Sequence, residues 1–289
     1  MASIDKQRYP LAPKLRGKKV VIKFGGSSIG GQGELGLFAQ DISFLVSLGI
    51  KPVIVHGGGP EISDELRKRG LAVRKVAGLR ITDDATLAVA VDVLAKINHQ
   101  IVDALKRAGL KAVGMAGGEC RTVMCMKMSS SIVKDENGKE VAVDLGNVGE
   151  ITKVEPSRLK LLLTSGFVPV VYPICLAGNG RMMNVNADTM AAHIAMAIGS
   201  EELVLVTDVA GIMREFGNEE TVIRQATIDE IDELIESGVV SDGMIPKVEA
   251  CKVAIKGGVS RAHMVCGREK SIIVDALLSD KEHGTVVTR

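Results

Sequence analysis

Short apolar runs rich in β-branched residues alternate with helix-like segments along this chain of 289 residues. The runs cover residues 19–24, 52–56, 112–116, 167–174, 202–207 and 262–266. Strands that are buried on both faces form continuous apolar runs, and helices between them act as crossovers of a parallel sheet. The pattern therefore predicts an α/β fold, in which a mainly parallel central sheet carries helices on both faces.

Three further segments divide the chain. Residues 84–108 form the longest helical pattern, and we expect this helix to lie against the sheet. Residues 118–150 interrupt the alternation, and 134–140 within them predict a hairpin turn between two short strands. We expect an N-terminal arm at 1–17, an N-terminal lobe at 18–175 and a C-terminal lobe at 176–289, because composition changes near 175–181.

Composition excludes several classes of partner. A net charge of +1 and an aromatic content of 2% leave neither a basic surface nor stacking platforms, so we expect no nucleic acid. The sequence has no apolar run of the roughly 18 residues that a membrane span needs, and its start has no signal-peptide core. An odd set of five cysteines without C-x-x-C suits a reducing compartment. We expect a cytoplasmic protein that binds no membrane.

Two of the predicted strands end in glycine turns that lead into helices. The first is Lys23-Phe24-Gly25-Gly26, and the second is His56-Gly57-Gly58-Gly59-Pro60. Backbone N–H groups without a Cβ in the way approach a polyanion closely, and the positive end of a following helix favours negative charge there. Lys23 adds a full positive charge. The alternative is that these glycines serve only tight turning and close packing; two turns with a lysine favour phosphate binding.

Other familiar sites are absent from the sequence or weakly matched. The match to G-x-G-x-x-G at 31–36 is displaced from the strand end, and the second strand ends in His56 where a dinucleotide fold places an acid. No histidine lies in H-E-x-x-H or a similar spacing, so we expect no metal site made of protein ligands alone. No G-x-S-x-G occurs either, which gives serine catalysis little support.

Three later blocks carry polar residues where helices begin or strands end. Asn184-Val185-Asn186-Ala187-Asp188 precedes a helix, and Asp188 either caps that helix or binds and orients charged groups. Thr207-Asp208-Val209-Ala210-Gly211 forms a third strand-end turn. Gly243-Met244-Ile245-Pro246-Lys247 opens a helix with proline in its first turn.

The glycine turns, the Asn184–Asp188 block and the Gly243–Lys247 block, in this order, resemble the amino acid kinase family, from about Lys19 to the C-terminus. Within that family they are similar to the branch that phosphorylates N-acetyl-L-glutamate in arginine biosynthesis. The resemblance implies an open three-layer αβα sandwich whose N-terminal lobe binds the acyl amino acid and whose C-terminal lobe binds ATP. It also implies that Mg²⁺ is carried by the ATP phosphates, without a dedicated protein cage.

The resemblance assigns a role to each matching residue. Lys23 and Lys247 would flank the transferred phosphoryl group, and Asp188 would orient them. The substrate would be held by Gly58, Gly59, Arg80 and Asn184. The nucleotide and its phosphates would be bordered by Gly25, Gly26, Thr207, Asp208, Gly211, Gly243 and Met244. The alternative for the two lysines is a solvated surface position, and for Arg80 a surface salt bridge.

Departures from the family pattern leave alternatives open. Ser27-Ser28 follows the first glycine turn, and 114–120 lacks a pattern frequent in the family. A sister kinase for an aminoadipate or another acidic amino acid derivative, and a non-catalytic amino-acid or nucleotide sensor on the same fold, therefore stay open. In the arginine-inhibited branch of the family a long N-terminal helix links dimers into hexamers, whereas here only a short arm with Pro10 and Pro13 precedes the first strand. The resemblance therefore implies a homodimer without strong arginine inhibition.

Overall fold

A computed structural model describes residues 8–25, 32–76, 78–134 and 140–289. In these ranges the strands are β1 (Lys19–Phe24), β2 (Lys51–His56), β3 (Lys75–Val76), β4 (Leu79–Arg80), β5 (Ala112–Ala116), β6 (Val123–Lys127), β7 (Ser131–Lys134), β8 (Glu140–Val143), β9 (Gly149–Val154), β10 (Val168–Tyr172), β11 (Ile174–Ala177), β12 (Met182–Asn184), β13 (Glu202–Thr207), β14 (Gln225–Thr227), β15 (Arg261–Cys266) and β16 (Thr285–Thr288). The helices are α1 (Ala12–Leu15), α2 (Gln32–Ser47), α3 (Gly59–Lys68), α4 (Asp84–Arg107), α5 (Ser157–Thr164), α6 (Ala187–Ile198), α7 (Ile228–Glu236), α8 (Ile245–Lys256) and α9 (Ile272–Leu278).

The main sheet has eight strands in the order β14-β16-β15-β13-β1-β2-β10-β5. Every pair from β15 to β5 is parallel, and β16 runs antiparallel to β15. The predicted α/β class with a mainly parallel sheet is therefore confirmed. The sheet places the two predicted lobes side by side, because β1 pairs with β13.

Helices cover both faces of this sheet. Along β1, Val21 belongs to one core cluster and Val20 and Ile22 belong to the other, as the alternation of side chains along a strand requires. Helices α6 and α8 contribute to the first cluster, and α2, α4 and α9 contribute to the second. The fold is thus the three-layer αβα sandwich that the resemblance implies.

A smaller sheet of four strands, in the order β12-β11-β6-β9, lies beside the main sheet. The single strand predicted at 167–174 is wrong, because it divides into β10 in the main sheet and β11 in the smaller one. Pro173, which separates them, has no N–H to donate to a ladder. The smaller sheet also includes β12, beyond the predicted lobe boundary at 175/176, and that boundary stays a prediction.

The predicted helix and hairpin are both found. Helix α4 ends one residue before the predicted Ala108. By length and composition it could cross a membrane, but a core helix of a soluble protein meets the same criterion, and α4 buries residues such as Leu94 and Ile101. Strands β7 and β8 pair antiparallel as predicted, whereas the turn at 135–139 lies outside the described residues.

Candidate active site

Three strand-end turns meet at one edge of the main sheet. Strands β1, β2 and β13 are parallel neighbours, with Phe24 in register with His56 and Lys23 in register with Leu205. The backbone N–H of Gly57 donates to Phe24 O at 3.1 Å, so the two glycine turns are hydrogen-bonded to each other. This is the edge at which open α/β sheets bind ligands. Gly26, predicted to border the nucleotide phosphates, lies outside the described residues.

A buried ion pair stands beside these turns. Lys23 Nζ lies 2.9 Å from Asp188 Oδ1, and the two residues are only 7% and 6% exposed. A Cβ added to Gly25 would lie 3.1 Å from Lys23 Nζ and 3.4 Å from Gly57 N, so the ammonium lies against both turns. Lys23 is therefore not the solvated surface lysine of the alternative interpretation.

Asp188 does not cap its helix. Helix α6 begins at Ala187, and the side chain of Asn186 accepts hydrogen bonds from the backbone of Asp188 and Thr189 at 2.8 and 3.0 Å. The capping alternative for Asp188 is thus wrong, because the residue two positions earlier already satisfies these N–H groups. The carboxylate of Asp188 is left to face Lys23.

The charges around Asp188 keep it ionised. Burial alone would raise its pKa, but the positive charges of Lys23 and Lys247 lower the pKa of Asp188 below its ordinary value. Lys247 lies in the first turn of α8, where its Nζ donates to Gly243 O at 3.1 Å. One carboxylate therefore faces two lysines, which leaves the cluster with net positive charge.

A small cavity of about 150 Å³ opens next to the second glycine turn. Its walls include Gly58, Gly59, Arg80 and Asn184, so the structure brings together the four residues predicted to bind substrate. Asn184 Nδ2 lies 3.5 Å from Thr82 Oγ1. A Cβ on Gly58 would lie 2.7 Å from Ile97 Cδ1, so α4 packs closely beneath this turn.

Arg80 is buried in this wall and only half paired. Its Nη2 donates to Gly59 O and to Ser63 Oγ, both at 2.8 Å. The residue is only 8% exposed, and its Nη1 is buried without a hydrogen-bond partner. The alternative of a surface salt bridge is therefore wrong. An unpaired buried guanidinium nitrogen is costly unless an anion binds it.

Lys75 adds another positive charge to the same cavity. Burial, followed by the neighbouring charges of Arg80, Arg67 and Lys247, lowers the pKa of Lys75. Burial and then the charge of Arg67 likewise lower the pKa of Arg80. Cations that repel one another in this way favour an anionic ligand between them.

A larger cavity of about 590 Å³ lies on the other side of the lysine cluster. Its walls contain Lys247 together with four of the residues predicted to border the nucleotide: Asp208, Gly211, Gly243 and Met244. Thr207, also predicted there, is not in this wall. Its hydroxyl donates to Val209 O at 2.8 Å and thereby holds the turn that carries Asp208.

The β3–β4 hairpin brings the wall of the small cavity close to the helix that borders the larger one. A Cβ added to Gly78 would lie 3.4 Å from Pro246 Cγ in the first turn of α8. The hairpin that carries Lys75 and Arg80 thus touches the helix that carries Lys247. We refer to these two neighbouring cavities together as the cleft.

Several residues of the cleft are not evident from the sequence. Ser63 supports Arg80, Asn186 caps α6 and Lys75 lies in the wall of the small cavity. Asn186 is signalled by its position just before a helical pattern. Ser63 and Lys75 lack such a signal in the local sequence, since the residues that they face are distant along the chain or on the other side of the cavity.

The fold and the cleft define a class of protein: an αβα sandwich with a positively charged lysine cluster at its strand ends, beside a small cavity and a larger one. The chain belongs to the amino acid kinase family, whose family model matches residues 18–266.

Comparison with individual proteins agrees with this membership. The chain is 42% identical over 289 residues to the acetylglutamate kinase of Methanocaldococcus jannaschii, covering 100% of this chain and 96% of that protein. It is 43% identical over 283 residues to the acetylglutamate kinase of Methanospirillum hungatei, covering 98% and 95%. Among solved structures, N-acetylglutamate synthase from Neisseria gonorrhoeae, complexed with coenzyme A and N-acetyl-glutamate, superposes with a TM-score of 0.81 at 22% identity. The chain covers 62% of that protein, and the likeness shows the fold alone.

Proposed function

We propose that this protein transfers the γ-phosphoryl group of ATP to the γ-carboxylate of N-acetyl-L-glutamate. The product would be N-acetyl-L-glutamyl 5-phosphate, an intermediate of arginine biosynthesis. Relatives named acetylglutamate kinase, 42% and 43% identical over nearly the whole chain, support this choice of substrate within the family.

The observation that carries the proposal is buried Arg80, whose Nη1 has no hydrogen-bond partner, in the wall of a small cavity beside the Lys23–Asp188 pair. A guanidinium fork suits a fixed carboxylate, and we propose that Arg80 and Asn184 bind the α-carboxylate of the substrate and its neighbouring groups. The γ-carboxylate would then reach the second glycine turn, near Gly58 and Gly59.

Phosphoryl transfer to a carboxylate needs positive charge more than it needs a base. The acceptor is already ionised near pH 7, so no general base has to remove a proton. The barrier comes from bringing an anion to a polyanion and from spreading charge in the transition state. We propose that Lys23 and Lys247 neutralise the moving phosphoryl oxygens, while Asp188 keeps the two ammonium groups in place.

ATP would occupy the larger cavity, with its phosphates directed toward Lys247 and the first glycine turn. The volume of about 590 Å³ is in the range of cofactor-sized pockets. Asp208, Gly211, Gly243 and Met244 would border the nucleotide, and Thr207 would act only by holding its turn. We propose that Mg²⁺ binds chiefly to the ATP phosphates, whose charge it would help to neutralise.

We also propose a cytoplasmic homodimer. The cysteines are free thiols, four of them buried, which suits a reducing compartment. The dimer rests on the family resemblance. Size-exclusion chromatography with light scattering tests it, and a monomer or a hexamer in solution would contradict it.

A panel of acceptors tests the reaction directly. Purified protein is incubated with ATP, Mg²⁺ and hydroxylamine, which traps an acyl phosphate as a hydroxamate. The acceptors are N-acetyl-L-glutamate, L-glutamate, L-aspartate and aminoadipate derivatives. We expect hydroxamate and ADP in equal amounts, with N-acetyl-L-glutamate the best acceptor. Preference for an aminoadipate derivative would reassign the substrate, and activity on none of them would indicate a sensor.

A further inference from the structure

His56 and Asn98 form a buried polar pair beneath the second glycine turn, and the proposed chemistry uses neither side chain. His56 ends β2 and is 0% exposed, whereas Asn98 lies in α4 and is 4% exposed. Polar side chains are rarely buried this deeply unless their hydrogen bonds are made. The hydrogen bonds of His56 and Asn98 therefore indicate what this pair does.

These hydrogen bonds fix the orientation of the Asn98 amide. Asn98 Nδ2 lies 2.9 Å from Val170 O and 3.1 Å from His56 Nε2. Because a carbonyl oxygen only accepts, the atom of Asn98 that faces Val170 O must be the nitrogen. The second hydrogen of the same amide nitrogen then points at His56 Nε2.

The amide in turn fixes the tautomer of His56. Nε2 accepts the hydrogen of Asn98, so the single proton of the neutral ring lies on Nδ1. His56 Nδ1 donates that proton to Gly57 O at 2.9 Å. Asn98 therefore controls, through the ring, the hydrogen bond that the Gly57 carbonyl receives.

Packing leaves this network little freedom. Gly57 is held at both ends, because its N–H donates to Phe24 O at 3.1 Å while its C=O accepts from His56. A Cβ on Gly114 in β5 would overlap Asn98 Oδ1, so this glycine leaves the space that the amide fills. Helix α4 supports Gly58 in the same way, through Ile97.

We infer that Asn98 and His56 are positioning residues that orient the Gly57 peptide and thereby aim the amides of Gly58 and Gly59 at the reacting carboxylate and phosphoryl group. The aim of these amides rests on the proposed function. Neither side chain touches a reactant. Their contribution is made through Gly57, since displacing an aligned group by about 1 Å can cost about 10²-fold in rate.

The network stays in one protonation state at ordinary pH. Burial lowers the pKa of His56 to about 4, although its hydrogen bond to Gly57 works in the opposite direction. Tyr172, whose ring centroid is 6.2 Å from that of His56, is the titratable side chain in ring contact with it, and burial raises its pKa. Both groups are therefore neutral from about pH 6 to pH 9.

The first test is spectroscopic and independent of activity. In protein labelled with ¹⁵N-histidine, long-range ¹H–¹⁵N correlation spectra distinguish the two neutral tautomers, and a His56→Gln variant assigns the signal. We expect His56 as the Nδ1–H tautomer with an unchanged spectrum from about pH 6 to pH 9. The Nε2–H tautomer, or titration in this range, would overturn the inference even if the protein proved inactive on N-acetyl-L-glutamate.

The second test makes the network depend on pH. In Asn98→Asp the carboxylate competes with Gly57 O for protons of His56. At low pH the doubly protonated His56 ring donates from Nε2 to the new carboxylate and from Nδ1 to Gly57 O. At high pH the ring keeps one proton, which lies on Nε2 and bonds the carboxylate, so Gly57 O is left without a donor. We expect kcat/KM relative to the wild type to fall about tenfold or more from about pH 6 to pH 9.

Ile101→Val, on the same helix and equally buried, is the matched control, and we expect its activity ratio to the wild type to be constant over this range. A constant ratio for folded Asn98→Asp as well would overturn the inference. If Asn98→Asp does not fold, the tautomer of the wild-type protein still decides.

Discussion

Individual residues of the cleft differ in whether their charges are already paired. Lys23 and Asp188 neutralise each other at 2.9 Å, whereas Arg80 leaves Nη1 without a partner. Leaving a buried charged donor unsatisfied costs roughly 1–3 kcal/mol or more. A substrate carboxylate that pairs with the Arg80 guanidinium would relieve such a cost.

Ser63→Ala tests this view of Arg80. The substitution removes one of the two acceptors that hold Nη2 and leaves the Arg80 guanidinium less firmly held in the cavity wall. A hydrogen bond to a charged group is worth about 1.5–3 kcal/mol, and partial compensation by Gly59 O leaves about 1–2 kcal/mol. We expect KM for N-acetyl-L-glutamate to rise about 5- to 30-fold with kcat nearly unchanged.

The control for this prediction is Ser43→Ala in α2, which removes a serine hydroxyl that donates to Ala108 O at 3.3 Å, away from the cleft. Steady-state kinetics with both variants measures the difference. Equal KM values for Ser63→Ala and Ser43→Ala would mean that Ser63 does not hold Arg80 for the substrate.

Among the elements, the turn after β13 depends on close contact with the start of β16. Gly211 has φ +144°, and a Cβ there would lie 2.6 Å from Thr285 Oγ1. That oxygen already accepts a hydrogen bond from Ile212 N at 2.9 Å. The wall of the larger cavity is thus shaped by two strands, and residue 211 has to be glycine.

Gly211→Ala is therefore expected to damage nucleotide binding. Strain of about 1–3 kcal/mol at this turn corresponds to an increase of about 5- to 150-fold in KM for ATP, with a much smaller change in KM for the acyl substrate. Gly36→Ala in α2 is the control, since its Cβ would meet nothing within 4 Å. That control should stabilise the protein by about 0.5–1 kcal/mol and leave both KM values unchanged.

Elements of this fold were predictable from the sequence to different degrees. The strand pattern predicted β1, β2, β5, β13 and β15 of the main sheet, because a buried strand carries its signal locally. The division of 167–174 at Pro173 was missed, since both halves are apolar and differ only in which sheet they join. The Asn186 cap was missed because Asp188 fits the same local rule.

At the scale of the whole molecule, the start of the described chain packs against the helix before the last strand. Leu11 N donates to Leu278 O at 3.1 Å, and Arg8 Nη2 lies 3.6 Å from Asp275 Oδ1. Asp41 of α2 lies close by, and burial, with a smaller effect from Asp275, raises its pKa to about 6. Above that pH the ionised carboxylate of Asp41 is less stable in the folded protein than it would be in the unfolded chain.

Asp41→Asn should therefore stabilise the protein at high pH. The pKa of Asp41 is about 6 in the folded protein and 3.8 ordinarily. Between these two values the folded state binds more protons than the unfolded state, so stability falls as the pH rises through about 6. We expect a gain of about 1–2 kcal/mol in unfolding free energy at pH 8, after allowance for partial exposure, and none near pH 4. Urea unfolding at both pH values measures it, with exposed Asp64→Asn as the control. A gain that is the same at both pH values would contradict the account.

The cleft as a whole shows where prediction from sequence ends. Short blocks such as Lys23–Gly26 and Gly243–Lys247 carry a family pattern that the family match confirms, and their residue roles stay predictions. Ser63, Lys75 and Asn98 carry no such pattern, because each acts through contacts between elements distant in sequence. Thr207 was predicted through the family resemblance; its hydroxyl holds the turn by donating to Val209 O, and its role toward the nucleotide stays a prediction.

The central claim is that Lys23, Asp188 and Lys247 carry phosphoryl transfer between the two cavities. Two lysine substitutions outside the cleft are the matched controls. Lys18→Ala removes an exposed ion pair with Glu201 and is the control for Lys23→Ala, and Lys256→Ala at the end of α8 is the control for Lys247→Ala. The decisive measurement is kcat for hydroxamate formation from N-acetyl-L-glutamate, on variants shown to be folded by thermal unfolding. We predict losses of about 10²–10³-fold for Lys23→Ala and Lys247→Ala, and wild-type rates for both controls. Folded Lys23→Ala and Lys247→Ala proteins with kcat within about twofold of the wild type would contradict the claim.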